Sequence, residues 1–104
     1  METVFACDMN ALDKRQRGRY DAIARTLKDA RQELWELDDG YAFCFKAESQ
    51  IIPDAAEFIV YERLCCPFFD FELSVENASD SLWLRLRGQD GIKEFIRSEL
   101  NIER

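Results

Sequence analysis

From Asp70 to Arg87 the chain carries one alternation twice: Phe71, Leu73 and Val75 are separated by single polar residues, and Leu82, Leu84 and Leu86 by Trp83 and Arg85. A period of two is the period of a strand with one buried face. With Asn77 to Asp80 as the loop, Val75 faces Leu82, Leu73 faces Leu84 and Phe71 faces Leu86. On the opposite face Glu72 then meets Arg85 and Asp70 meets Arg87. One register satisfies both faces, so an antiparallel hairpin is the fixed point, and the rest of the chain must cover its apolar side.

The remaining segments supply that cover. Residues 13 to 31 begin with Asp13 three places before Gln16, the spacing of a capping box, and carry Tyr20, Ile23, Leu27 and Ala30 as one apolar stripe. From about residue 49 to Cys66 the helical period returns through Ile52, Ala55, Ala56, Phe58 and Ile59, with Pro53 in the first turn and Pro67 as the stop. A last short helix is expected from Asp90 as N-cap to Leu100. Between the first two helices, Glu33 to Leu37 and Tyr41 to Lys46 flank Asp38-Asp39-Gly40, whose Asp-Gly pair predicts a second hairpin. Thr3-Val4-Phe5 is a candidate edge strand. The order (β)αββαββα predicts an α+β domain spanning residues 1–104, with an antiparallel four- or five-stranded sheet covered by helices on one face.

Composition removes whole classes of function. There is no histidine among the 104 residues, so no imidazole base, no Cys-His or Ser-His-Asp nucleophile and no histidine-based zinc site. The formal charge of −7 offers no net positive field for nucleic acid or anionic lipid. The apolar runs fall far short of the roughly 20 residues of a membrane helix, and the start lacks the pattern of a secretory signal. These features predict a cytoplasmic protein whose four cysteines, Cys7, Cys44, Cys65 and Cys66, are free thiols rather than staples.

Chemistry concentrates at Glu62-Arg63-Leu64-Cys65-Cys66-Pro67-Phe68. On a helix, Glu62 precedes Cys65 and Cys66 by three and four residues, which sets its carboxylate beside both thiols. A vicinal dithiol suits soft ions such as Hg(II) or Cu(I) and needs no imidazole. Zinc, which takes four ligands, ranks lower and would need Cys7 or Cys44 to fold close. Neighbours on a regular helix point about 100° apart, so joint chelation by Cys65 and Cys66 requires the helix to unwind before Pro67. The competing readings are a thiol-dependent enzyme using Cys65 or Cys66, and a structural domain in which both are packing residues. A helix C-terminus and Glu62 disfavour thiolate, which weighs against the enzyme.

The segment resembles a group of small uncharacterised bacterial proteins that carry Glu-Arg-x-Cys-Cys-Pro-Phe-x-x-Phe-x-Leu. Glu62, Arg63, Cys65, Cys66, Pro67, Phe68, Phe71 and Leu73 match it in place. The likeness extends more loosely to the Asp39-Gly40-Tyr41 turn, to Leu82-Trp83-Leu84 and to the tail from Gly91 to Leu100. It implies an association with bacterial heavy-metal response and no particular reaction.

Two surfaces suggest partners. Trp35, Leu37, Ala42 and Cys44 fall on the face of the first hairpin away from the helices, and their apolar character predicts a cover, with a homodimer burying Trp35, Leu37 and Cys44 as the leading form. The first helix carries seven basic residues against three acidic ones from Asp13 to Arg31, a local +4 suited to an acidic protein partner. The combined expectation is a small soluble binding or interaction protein, not an enzyme, with Cys65, Cys66 and Glu62 as metal ligands.

Overall fold

Asp13 opens the first helix as the spacing requires: its side chain accepts the Gln16 N–H at 2.8 Å, and the Gln16 side chain accepts the Asp13 N–H at 2.9 Å. The computed structural model describes residues 6–100, and within them a 3-10 turn at Met9–Ala11 leads into α1 (Lys14–Ala30). There follow β1 (Arg31–Leu37), β2 (Gly40–Lys46), α2 (Ile51–Cys65), β3 (Asp70–Glu76), β4 (Ser81–Arg87) and α3 (Ile92–Glu99). The sheet is four-stranded and antiparallel, in the order β1-β2-β4-β3. The candidate strand Thr3-Val4-Phe5 lies outside the described residues.

The second hairpin has the anticipated register throughout, with Phe71 opposite Leu86, Leu73 opposite Leu84 and Val75 opposite Leu82. On its outer face the charged side chains bond diagonally instead. Arg87 bonds Glu72 and Asp39, while Arg85 donates to Ser74 Oγ at 3.1 Å. Long arginine side chains reach a residue past their direct partner, a distance that cross-strand diagonals allow.

The first hairpin turns on Asp38-Asp39, not on Asp39-Gly40, so Leu37 pairs with Gly40 and Trp35 with Ala42. Gly40 is needed for proximity rather than for a left-handed backbone: a Cβ there would lie 1.8 Å from the Leu86 carbonyl oxygen. The final helix is likewise capped by Gly91, at φ 92°, and not by Asp90.

Helices cover one face of the sheet. Tyr41, Phe43 and Phe45 of β2 and Leu82, Leu84 and Leu86 of β4 form a buried layer with Ile23, Leu27, Ala55, Phe58, Ile92 and Ile96. On the opposite face the chain covers only part of its own apolar surface. Trp35 and Trp83 meet edge to face at 5.4 Å, Arg85 lies 5.5 Å over the Trp83 ring, and the small Ala42 and Cys44 of the central strand are buried beneath this large-side-chain layer. Cys44 therefore presents almost no surface to a partner, contrary to its expected place in an interface, whereas Trp35 remains 56% exposed.

Two glycine substitutions should move stability in opposite directions in urea unfolding. Gly40→Ala forces β2 away from β4 and should cost about 2 kcal/mol or more. Gly18→Ala, in the middle of α1 with no heavy atom within 4 Å of the new methyl, should stabilise by about 0.5–1 kcal/mol.

Candidate functional site

The two adjacent cysteines are separated by the end of their helix. Cys65 is the last residue of α2; Cys66 leaves it at φ −129° and ψ 73°, although its N–H still donates to the Glu62 carbonyl at 2.7 Å. The residue before a proline is pushed out of the helical region, and here that residue is Cys66. The expected break does occur, but it falls between the two thiols and sends them to different neighbours. Cys65 packs into the core at 1% exposure.

Cys66 meets Cys7 instead. The Asp8 N–H donates to the Cys65 carbonyl at 2.8 Å, which lays the N-terminal segment along the end of α2. The preceding residue, Cys7, is thereby brought to a Cα–Cα distance of 4.6 Å from Cys66, and the two form a disulfide. This corrects the expectation of four free thiols: Cys44 and Cys65 are free and buried, Cys7 and Cys66 are bonded. Their separation of 59 residues kept the pairing invisible in the sequence.

Glu62 completes the group, one helical turn before Cys66 on the same side of α2. It is the buried charged residue among those described, at 6% exposure. Its Oε2 accepts the Tyr20 O–H at 2.6 Å, and its Oε1 lies 3.0 Å from Cys66 Sγ. Cys66 has a proton to donate only as a thiol; beside the disulfide, the same approach suits a carboxyl that keeps its own proton. Burial pushes the Glu62 carboxyl above the usual carboxylate range; the Tyr20 hydrogen bond opposes this and Glu99 adds to it. Tyr20 is pushed up in turn, first by burial and then by Glu62. The Cys65 thiol is also raised, by burial and then by Glu62 and Asp8, so it stays protonated and unreactive.

Ligand atoms of Cys7, Glu62 and Cys66 all lie within 4.8 Å of one another, the one such group among the described residues. Cys7 and Glu62 border a cavity of about 120 Å³ whose apolar walls include Phe69 and Ile96. Of the three residues expected to act together, the fold keeps Glu62 and Cys66 and exchanges Cys65 for Cys7. Tyr20, visible in the sequence only as part of an apolar stripe, is the fourth participant. Leu37 is half-buried beside the exposed Trp35 on the far face of the sheet.

No protein-family model matches the chain, nor does any curated protein or solved structure.

Two outcomes follow from this geometry. The Cys7–Cys66 bond closes a loop of some sixty residues, so its reduction should lower unfolding free energy by about 4 kcal/mol, read from urea curves with and without reductant. A raised Glu62 pKa means that the native state holds a proton the unfolded state has released. Its contribution is therefore full below the unfolded value and is lost as pH rises through the folded one. Stability of Glu62→Gln relative to wild type should accordingly increase with pH across and above the ordinary carboxylate range, then level off; a difference that stays flat would contradict the assignment.

Proposed function

We propose that the protein binds a soft, thiophilic metal ion such as Cu(I) or Hg(II) through the reduced thiols of Cys7 and Cys66, with Glu62 as the adjacent oxygen donor. The observation that carries this reading is the convergence of two sulfurs and one carboxyl, from the N-terminal segment and the end of α2, within 4.8 Å in a buried setting. Thiolate ligands select soft ions, and no imidazole is required. The cavity that Cys7 and Glu62 border is walled mainly by apolar side chains, a setting that favours thiolate–metal bonds over water. Binding displaces the thiol protons and the proton that burial keeps on the Glu62 carboxyl; Glu62, held by Tyr20, stands 3.0 Å from Cys66 to serve as the oxygen donor. The resemblance of the Glu62-to-Leu73 segment to proteins associated with heavy-metal response supports the same direction.

The disulfide favours a second reading, a redox-responsive staple, because a bonded pair has no thiolate to offer. The two readings describe one pair of sulfurs in two oxidation states. A reducing compartment such as the cytoplasm would hold the metal-binding state, and an oxidising one the staple. The companion proposal for the opposite face is a homodimer through Trp35 and Leu37.

Thermal unfolding under reducing but metal-free conditions provides the test. Free Cu(I) or Hg(II) at about a hundred times its dissociation constant should raise Tm by about 10 °C in wild type. Cys65→Ser should keep the shift, and Cys7→Ser combined with Cys66→Ser should lose it. A shift retained by the double variant would remove the site; one lost only with Cys65 would restore the adjacent pair as ligands.

A further inference from the structure

On the helix side of the sheet a second, larger cavity of about 310 Å³ opens between α1, α2 and the end of α3. Phe43, Phe45, Leu84 and Leu86 form its floor, and Leu27 and Phe58 stand at its sides. The volume reaches the lower range of small-molecule sites, which are characteristically apolar with a few placed polar groups.

The placed groups here are two cations. Lys28, in the last turn of α1, and Arg31, at the junction of α1 with β1, both line the cavity. Arg31 is there because β1 is irregular. Leu34 pairs with Phe43 on the covered face, so strict alternation would set Gln32 opposite Phe45, but the register shifts between Arg31 and Glu33 and Arg31 takes that position. A bulge of this kind re-aims a side chain, and here it turns a guanidinium toward the helix-covered face. Arg19, by contrast, is engaged by Glu57 and Asp54. Lys28 and Arg31 have no carboxylate within ion-pair distance among the described residues. Glu99, the acidic residue at this cavity, also lines the smaller cavity beside Glu62 and so stands toward the Tyr20 end.

We infer that this cleft binds a small amphiphilic anion, its apolar body lying on the Phe43, Phe45, Leu84 and Leu86 floor and its acid headgroup held by Lys28 and Arg31. The polarity of the cleft fixes the orientation: the headgroup lies at the α1–β1 junction and the body runs toward Tyr20 and Phe58. The site uses none of Cys7, Cys66 or Glu62 and goes beyond the metal reading.

Calorimetric titration of the full chain with decanoate and with decan-1-ol tests it. Decanoate should bind saturably at one site, about tenfold more tightly than the alcohol of equal length, the difference expected for a charge-assisted contact. Lys28→Glu with Arg31→Glu, both on exposed positions, should remove that preference and leave decan-1-ol binding unchanged. Ala24→Phe, which fills the cleft, should abolish binding of both while circular dichroism confirms the fold. Cys7→Ser with Cys66→Ser should bind decanoate as wild type does. Absence of saturable decanoate binding, equal affinity for acid and alcohol, or a preference that survives charge reversal would each overturn the proposal.

Discussion

A buried carboxyl group sets the terms for the rest of this molecule. Glu62 sits where α1, the end of α2 and the N-terminal segment converge, out of water, with Tyr20 on one oxygen and Cys66 sulfur near the other. Removing a charged carboxylate from water costs several kcal/mol in proteins, and one hydroxyl donor returns only part of that. The group therefore favours its neutral form, and Tyr20 from α1 is held in place to serve it. The pairing ties the two long helices together beneath their exposed contact, where Arg19 spans to Glu57 at 2.9 and 3.1 Å. The exposed pair adds little on its own, since surface ion pairs contribute about 0–1 kcal/mol. The buried one gives the helix packing its directional element.

The helix stop is the second determinant. Pro67 has no N–H to continue the ladder and excludes the helical region for the residue before it. Cys65 remains helical and apolar in its surroundings, while Cys66 is turned out toward Cys7. Two chemically identical neighbours thus acquire different roles from one backbone constraint. Phe68 and Phe69 follow directly and pack edge to face at 5.0 Å, with Phe95 of α3 at 5.2 Å from Phe68. The aromatic group locks the turn against the last helix and gives the disulfide end of α2 a rigid backing.

Local rules were sufficient for most of the architecture. The alternation of Phe71 to Leu86 fixed a complete hairpin register, because a slip by one residue would turn every leucine outward. Asp13 and Gln16 marked a helix start by a reciprocal bond within four residues. Failures arose where distance along the chain mattered. Nothing near Cys66 signals Cys7, which is brought there by the backbone bond from Asp8 to Cys65 and by its packing against the core. The Asp39-Gly40 pair pointed to a turn that the chain makes one residue earlier, since the glycine was required by the Leu86 carbonyl of a strand 46 residues away. Glu62 was legible at its i, i+4 spacing from Cys66; its partner Tyr20 was not, because a tyrosine in an apolar stripe looks the same whether its hydroxyl ends in water or on a buried acid.

Both tryptophans of the chain lie together on the outer surface of the sheet, touching each other, with Arg85 over the Trp83 ring and the strands between them and the sulfur pair. Indole emission from this protein is consequently a gauge of strand pairing at β1, β2 and β4. A loss of that emission would register the opening of the first hairpin, whereas changes in the sulfur pair would be seen in ultraviolet sulfur-to-metal absorption and in the tyrosine bands. The molecule carries two separate spectroscopic windows, one on each side of the same sheet.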